Sequence, residues 1–390
     1  MPAARVAITG MGAISALGCG VRSFWDAVSS GRSGIRPILG FDPFRFPNGA
    51  QVSGYDPARH FDEKQLMMID RFAQFALVAA DEAMKNSGLT TVDAVITGCS
   101  AGGQDAMDAG FVDLYKKNSP RVNPMMVPRV MSSGAASHIA MRYGVTGPVY
   151  SVSTACSSAN HAIGQAFWMI RNGACVSALT GGCESVFSYG FLKAWEAMRV
   201  VSSDTCRPFS KDRKGLILGE GAGMLVLENM DAALARGATV FGEIAGFGMS
   251  SDAHHVTQPS AQGPIRAMRA ALADAGLHRA DYVNAHGTGT AANDVTEAAA
   301  IRCVLGDRSI VSSTKSMHGH ALGAAGALEA IATILTLREG VIPPTANFTE
   351  PDPECDLDVV PNEPRYAEVE TALSNSFAFG GLNAVLAFRR

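Results

Sequence analysis

One cysteine of the 390-residue chain stands where a predicted strand ends and a predicted helix begins. Cys156 lies within the segment SVSTACSSANH at 151–161, among small and polar residues that leave room for a substrate to reach the sulfur. The N–H groups at the start of a helix stabilise a thiolate. We therefore expect Cys156 to be a nucleophile. The alternative is a buried, inert thiol, which is the expectation for the other seven cysteines.

Two histidines lie in turns rich in small residues further along the chain. His286 belongs to NAHGTGT at 284–290, where the hydroxyls of Thr288 and Thr290 suit a polar, elongated ligand. His320 is expected to begin a helix, whose positive dipole end disfavours an imidazolium, so a neutral imidazole that donates a hydrogen bond is predicted there. A structural role remains the alternative for His286.

A lysine lies between the two histidines. Lys315 has few charges near it in sequence, so a buried position would require a carboxylate partner, and Glu297 is the predicted one. The spacing of His318 and His320 could suggest a metal site, but no third ligand follows at a usable spacing. No metal is therefore expected.

The fourth segment of chemical interest is SNSFAFGGLN at 374–383, in which a predicted strand runs into a glycine turn with two phenylalanines. Taken alone, Phe377 and Phe379 could be ordinary core residues. Beside a reactive cysteine, the turn could supply a backbone N–H to an oxyanion and a mobile aromatic gate.

The elements that must position these residues alternate between short β-branched runs and longer helical patterns, which predicts an α/β fold with mainly parallel sheets. Strands are predicted at 5–9, 94–97, 149–152, 176–180, 223–228, 239–245, 310–312, 372–376 and 384–388, and helices at 64–85, 155–171, 265–275, 294–304 and 319–338. Two glycine-rich segments at 219–228 and 380–388 both run into a strand, which favours a duplicated architecture divided between 229 and 238.

Composition excludes several classes of protein. Charged residues are 17% of the chain and 41 residues are glycine, which is typical of a compact enzyme and excludes disorder and coiled coils. The net charge of −4 provides no global field for nucleic acid or anionic lipid. The eight cysteines include no C-x-x-C pair, and neither a signal peptide nor a membrane span is expected, so a reducing cytoplasmic compartment is predicted.

Together and in this order, the four segments resemble the β-ketoacyl-acyl-carrier-protein synthases, and they resemble the elongating Cys-His-His branch more than the initiating Cys-His-Asn branch. The resemblance covers nearly the whole chain, including VAITGMG at 6–12 and RPFSKDR at 207–213. It implies the α/β thiolase fold, a duplicated five-layered α/β/α/β/α body that forms dimers. Residues 1–235 would be the half with the nucleophile, and residues 236–390 would be the half with the two histidines.

The resemblance also implies roles for the chemical residues. Cys156 takes the acyl chain from its carrier thioester, while His286 and His320 bind the malonyl thioester carbonyl and stabilise the enolate formed on decarboxylation. Lys315, paired with Glu297, supports the site structurally and electrostatically.

The residues around the implied substrate follow in the same way. Phe379 is the gate, and its N–H joins that of Cys156 in an oxyanion hole. Thr288 and Thr290 hold the pantetheine arm, and Phe377 lies against the substrate.

Some positions depart from the family pattern. Ala378 and Leu382 replace a glycine and a threonine of the gate motif, and we expect Ala378 to change how the gate moves. Phe191 and Trp195 are bulky for pocket-lining positions, and Met126 stands where an aromatic residue often reaches the acyl tunnel of a partner subunit. A shorter, bent or polyene acyl chain is one interpretation, and simple repacking of the core is the other.

The resemblance implies partners as well as chemistry. The acyl carrier protein is acidic and would meet a basic patch that includes Lys64, Arg121 and Arg199, although Met67 and Met68 dilute that patch. No cofactor is expected, because the phosphopantetheine arm arrives on the carrier. The chain would form a homodimer, or a heterodimer with a ketosynthase-like partner.

The implied reaction is a decarboxylative Claisen condensation with a malonyl carrier, in fatty-acid or type II polyketide or polyene biosynthesis. Two rivals remain. A thiolase would need a second cysteine near the C-terminus, and none follows Cys355. A chain-length-setting partner subunit typically lacks the nucleophile, whereas this chain has Cys156 and both histidines.

Overall fold

The computed structural model describes residues 4–41 and 44–390. Its strands are β1 Val6–Ser15, β2 Gly18–Cys19, β3 Arg36–Pro37, β4 Asn48–Gly49, β5 Ala94–Gly98, β6 Val149–Val152, β7 Ser177–Glu184, β8 Gly221–Asn229, β9 Gly242–Ser251, β10 Tyr282–Asn284, β11 Ile310–Ser312, β12 Val341–Ile342, β13 Asp358–Val359, β14 Arg365–Tyr366, β15 Thr371–Ala378 and β16 Leu382–Arg389. Its α-helices are α1 Val21–Val28, α2 Glu63–Met68, α3 Arg71–Ser87, α4 Gln104–Phe111, α5 Met126–Val130, α6 Gly134–Tyr143, α7 Ser158–Arg171, α8 Tyr189–Met198, α9 Met230–Ala235, α10 Gln262–Ala275, α11 Ala291–Leu305, α12 Lys315–His318 and α13 Ala325–Glu339.

The long strands form two sets with the same topology. In the first set the spatial order is β6-β5-β7-β8-β1, and in the second it is β11-β10-β15-β16-β9, with β13 added at the outer edge. In both sets the strand that comes first along the chain pairs antiparallel with the last, which pairs antiparallel with its other neighbour as well. The remaining pairs of each set are parallel. The sheet is therefore mixed, and the prediction of mainly parallel sheets is wrong. An antiparallel contact between β1 and β9 joins the sets. The duplicated fold predicted from the sequence is confirmed.

Helices form the other layers. α3 packs on β1 and β8, and α10 packs on β9 and β16, so each set has one outer helix layer. Between the sets lie α7 and α13, which contact each other and strands of both halves. Residues 325–337 of α13 are all buried. A helix that is apolar on every side is expected only where it is enclosed.

Glycines in β1 and β9 permit the close approach of the outer helices. A Cβ on Gly12 would lie 1.9 Å from the carbonyl oxygen of Ala79 in α3, and one on Gly248 would lie 2.1 Å from that of Ala267 in α10. The two strands carry the related segments ITGMG at 8–12 and IAGFG at 244–248. This repeat is a stronger sign of duplication than the later glycine-rich segments.

Several predicted boundaries differ from the structure. The helix predicted at 64–85 is two helices, because Ile69 and Asp70 are extended and α3 begins at Arg71. The helix predicted at 319–338 begins only at Ala325, since Gly319 and Leu322 have positive φ values of 67° and 43°. The strand predicted at 239–245 is β9, which extends to Ser251. In the described parts of the chain, no helix has the length and apolarity needed to cross a membrane.

Candidate active site

Cys156 lies in the tight turn between β6 and α7. Strand β6 ends at Val152 and α7 begins at Ser158, as the sequence predicted within a few residues. Ala155 has a φ of +48°, a conformation that costs an L-residue free energy and that persists only where its surroundings enforce it. The hydroxyl of Ser158 accepts a hydrogen bond from the N–H of Thr154 at 2.9 Å, which helps to hold the turn. The cysteine side chain is therefore placed by strained backbone.

The environment of the Cys156 thiol differs from the prediction. Its pKa is raised to about 12, mainly by burial, and the nearby carboxylate of Glu184 acts in the same direction. The Lys315 charge and the backbone N–H groups of Phe379 and Cys156 act in the opposite direction, but they do not outweigh burial. Backbone N–H groups therefore do favour the thiolate, as predicted, but burial outweighs them in the resting site. At neutral pH Cys156 is a thiol.

The two histidines are neighbours. His286 follows β10 and His320 follows α12, and their ring centroids are 5.3 Å apart with planes at 85°. The Nδ1 atoms of both are buried without a partner among the described residues, which leaves the Nε2 side of each ring to meet a ligand.

Both histidines have pKa values well below the ordinary value, as expected for neutral imidazoles. The cause differs from the prediction. Burial is the largest effect, the Lys315 ammonium is the second, and no helix dipole is needed to explain the shift. His320 lies two residues before the 3-10 turn Leu322–Ala324, which leads into α13.

Lys315 is fully buried, but its partner is not the predicted one. Its Nζ forms an ion pair with Glu329 of α13, and both side chains have no exposed surface. Burial raises the pKa of Glu329 while the Lys315 ammonium lowers it. The predicted pairing of Lys315 with Glu297 is therefore wrong. Both carboxylates are buried, and the sequence contained no signal that distinguished them.

Glu297 instead shapes the turn that carries His286. Its two carboxylate oxygens accept hydrogen bonds from the backbone N–H groups of His286 and Gly287 at 2.8 and 2.7 Å. The side-chain amide of Asn375 donates a further bond at 3.1 Å. A buried carboxylate with several donors holds a backbone turn firmly. Glu297 is a positioning residue for His286.

Sequence reasoning missed a second carboxylate near the nucleophile. Glu184, the last residue of β7, accepts hydrogen bonds from the backbone N–H groups of Ser100, Ala101 and Gly323 at 2.8, 3.1 and 3.0 Å. It thereby connects β7 to the turn before α13. The only available signal was a charged residue directly after the apolar strand.

A third buried carboxylate, Asp294, lies in the first turn of α11. Asp294 accepts bonds from the N–H groups of Phe209 and Gly289 at 2.8 and 3.2 Å. It therefore fixes the turn that contains Thr288 and Thr290, whose hydroxyl oxygens are 2.9 Å apart.

The gate segment forms the turn Phe379–Gly381 between β15 and β16. Gly380 and Gly381 have φ values of 82° and 67°, which explains both glycines. Ala378 has a φ of −114°, so it replaces glycine without strain in this conformation, and its effect on gate movement stays a prediction. The N–H of Gly380 donates to the carbonyl of Val256 at 2.7 Å, which connects the turn to the segment at 252–259.

One cleft, with an empty volume of about 850 Å³ that includes space open to solvent, brings most of the predicted residues together. Its lining includes Cys156, Trp195, His286, Thr288, Thr290, Glu297, His320, Phe377 and Phe379. Residues from both halves of the duplicated fold therefore meet at one site. Among the described residues, no group of three or more His, Cys, Asp or Glu side chains could hold a metal ion.

Comparison with known proteins agrees with this geometry. The family model described as beta-ketoacyl synthase, N-terminal domain, matches residues 3–233, and the C-terminal domain model matches residues 241–349. The chain belongs to the beta-ketoacyl synthase family. The predicted family, fold class and acyltransferase activity are confirmed.

Two relatives and one solved structure show the range of proteins to which this chain is similar. Nodulation protein E of Rhizobium sp. (strain N33) is 49% identical, with 99% of each chain covered. The 3-oxoacyl-[acyl-carrier-protein] synthase 2 of Synechocystis sp. is 40% identical over 99% of this chain and 98% of the relative. The solved structure titled "The ishigamide ketosynthase/chain length factor" is 39% identical, with 99% of each chain covered and a TM-score of 0.95.

Other predicted residues of this beta-ketoacyl synthase lie outside the cleft lining. Phe191 packs edge-on against Trp195, at 6.3 Å between ring centroids. Met126 packs close to Gly110 of α4. The structure contains one chain, so the implied reach of Met126 into a partner subunit stays a prediction.

The predicted docking residues Lys64, Arg121 and Arg199 are all exposed, and none forms an ion pair with a residue of 4–41 or 44–390. Arg199 ends α8 directly before Val200, which lines the cleft. A role in carrier docking stays a prediction for all three.

The division of the chain at residue 235, which is the last residue of α9, also stays a prediction.

Proposed function

We propose that this chain catalyses a decarboxylative Claisen condensation. An acyl chain is held on Cys156 and is extended by two carbons from a malonyl group carried by an acyl carrier protein. The observation that supports this most directly is the cleft in which a buried thiol and two neutral histidines lie together. Covalent capture divides one difficult reaction into two easier steps.

The first step transfers the acyl chain. The Cys156 sulfur forms a bond to the thioester carbonyl carbon, and the bond from that carbon to the pantetheine sulfur breaks. The proton of the Cys156 thiol passes to the departing pantetheine thiolate, because the lowered pKa values of both histidines make them poor acceptors of a second proton. The N–H groups of Cys156 and Phe379 act near this sulfur and would stabilise the oxyanion.

The second step forms the new carbon–carbon bond. The bond from the malonyl carboxylate to the methylene carbon breaks, CO₂ leaves, and the electron pair forms an enolate whose oxygen accepts hydrogen bonds from His286 and His320. Each neutral imidazole has one N–H to donate. The methylene carbon then attacks the acyl carbonyl carbon, and the bond from that carbon to the Cys156 sulfur breaks. The thiolate takes up one proton from water, which restores the thiol.

The surroundings support each group in this scheme. Thr288 and Thr290 line the cleft and would bind the pantetheine arm. The ring of Phe377 lies beside that of His286, with 6.1 Å between the ring centroids. In this position it would limit the access of water to the enolate. Lys315, paired with Glu329, opposes protonation of both histidines.

We favour the catalytic role over that of a chain-length-setting partner, because the nucleophile, both histidines and the gate turn are all present in one cleft. The structure titled "AntDE:AntF (apo): type II PKS acyl-carrier protein in complex with its ketosynthase bound to the hexaketide" matches at 31% identity, with 99% of each chain covered and a TM-score of 0.89. It supports an acyl carrier protein as the partner here. We propose that the carrier docks near Lys64, Arg121 and Arg199, which are exposed.

The assembly and the pathway are part of the same proposal. The chain would act as a homodimer, or as the catalytic half of a heterodimer, in the cytoplasm, where its eight free thiols stay reduced. Its greater identity to the proteins named nodulation protein E than to those named synthase 2 favours a specialised pathway over general fatty-acid elongation.

Intact-protein mass spectrometry after incubation with an acyl carrier thioester tests the catalytic role. We expect one acyl adduct, on Cys156, and no adduct on the C156A variant, which should still decarboxylate a malonyl carrier. Cys355→Ala is the matched control, because burial also raises the pKa of that thiol to about 12 and it does not line the cleft. An adduct on another residue, or condensation by C156A, would contradict the proposal.

A further inference from the structure

The α4–α5 segment, residues 104–131, lies on the body of the protein with little apolar anchoring. The buried residues of α4 are Ala106 and Gly110, while the π-helical turn Val112–Lys116 and helix α5 are half-buried or exposed throughout. Its large exposed apolar side chains are Phe111, Val112, Tyr115, Val127 and Met131. A segment that buries few apolar groups opens more easily than the core.

Polar bonds to carboxyl groups hold the start of this segment instead. The N–H of Ala106 donates to Asp70, which precedes α3, at 2.7 Å. Asp108 accepts a bond from an N–H in the first turn of α8 at 2.7 Å. The carboxyl of Asp105 lies 2.9 Å from the hydroxyl of Ser185, the residue after β7. Helix α4 is thereby connected to three other elements.

The hydroxyl of Ser185 lies between two carboxyl groups. Its Oγ is 2.9 Å from Oδ2 of Asp105 and 3.1 Å from Oε2 of Glu220. A hydroxyl has one hydrogen to donate, so it satisfies only one of them. Glu220 is the ionised partner, because it pairs with Arg71 at 2.7 Å. The arrangement is complete when a protonated Asp105 donates to Ser185 and Ser185 donates to Glu220.

The ionisable groups around Asp105 also disfavour its carboxylate form. Burial, the Asp70 carboxylate and Glu220 raise the pKa of Asp105 to about 7, and the Arg71 guanidinium acts in the opposite direction. One oxygen of Asp70 is buried without a partner among the described residues, and the charge of Arg129 on α5 also acts on this carboxylate. An ionised Asp105 would face two carboxylates, while Arg71 is already paired.

We propose that the protonated carboxyl of Asp105 is a latch that holds the α4–α5 segment on the body, and that its ionisation in mildly alkaline solution releases the segment. The proton passes to water, the bond to Ser185 is lost, and the new charge is repelled by Asp70 and Glu220. The segment carries Arg121, so its release would change the surface proposed for carrier docking. The latch itself does not depend on the proposed condensation.

Hydrogen–deuterium exchange of the intact protein tests the latch, with protection factors corrected for the intrinsic rise of exchange with pH. In the wild type, protection of residues 104–131 should fall about tenfold from about pH 6 to about pH 8, because a proton held with a pKa of about 7 is lost on opening. Asp105→Asn retains a donor toward Ser185 without a titrating group, so its protection should not vary with pH.

Asp108→Asn is the matched control, because Asp108 lies one turn further along α4 and accepts from a backbone N–H. This variant should retain the pH dependence of the wild type. If Asp105→Asn loses protection with pH as the wild type does, Asp105 is not the latch. Helix α10 is the internal reference. Equal protection of α10 and residues 104–131 would show that the segment opens only with the whole protein, which would also overturn the proposal.

Discussion

The imidazole rings of His286 and His320 stand at 85° to each other, with their centroids 5.3 Å apart. Two donors in this arrangement approach one oxygen from different directions. Glu297 holds the backbone beneath His286, and His320 is held by backbone bonds to Ile217 and Gly219. Each histidine is therefore positioned independently, and neither requires the other to maintain its place.

Decarboxylation of a malonyl carrier by the C156A variant should be nearly independent of pH from roughly pH 6 to pH 8. Burial and the Lys315 charge lower the pKa values of His286 and His320 well below 6.5, so both remain neutral donors throughout this interval. The rate should fall only in more acidic solution, where the imidazoles gain protons. A rate that changes with a midpoint near the ordinary histidine pKa would contradict this assignment.

Removing one member of the Lys315–Glu329 pair should destabilise the protein strongly. Both side chains have no exposed surface, so Lys315→Met leaves a buried carboxylate without its partner, at a cost of about 3–5 kcal/mol. Urea unfolding measures this loss. Lys117→Met is the control, because Lys117 pairs with Asp113 at the surface and should cost at most about 0.5 kcal/mol. Equal midpoints for the two variants would show that the buried pair contributes little.

Many of the site residues could be predicted from the sequence, because each lies in a short segment with a recognisable local pattern. Cys156, His286 and His320 stood out in the sequence because each lies in a segment of small residues, and the resemblance to the family supplied their roles. The partner of Lys315 was not predictable, since Glu297 and Glu329 lie in helices whose relative placement depends on the packing of α11 and α13. The high pKa of Cys156 likewise depends on burial by distant residues, which no local pattern shows.

Stability should fall as the pH rises through the titration of Asp105. Burial, together with the charges of Asp70 and Glu220, raises the pKa of this carboxyl to about 7 from 3.8. The folded state therefore binds this proton more tightly than the unfolded state. The stability that the proton contributes is fully present below about pH 4 and is lost as the pH rises through about pH 7. Asp105→Asn should leave unfolding at acidic pH nearly unchanged and should stabilise the protein at pH values above this interval. Calorimetric melting of both proteins across that interval is the measurement. A stabilisation that does not vary with pH would argue against titration of Asp105.

Substitution of corresponding glycines in the two halves by alanine should destabilise the protein to a similar extent. A Cβ added to Gly12 or to Gly248 would lie 1.9 or 2.1 Å from a carbonyl oxygen of the neighbouring helix. Neither oxygen can move without its helix. Gly12→Ala and Gly248→Ala should therefore each destabilise the protein by about 1–3 kcal/mol or more, since overpacking moves a whole layer. Gly242→Ala is the control in β9, because its nearest neighbour is 3.3 Å away. Urea unfolding of the three variants compares them directly. If only one of the first two variants loses stability, the outer helices are not packed by the same device in both halves.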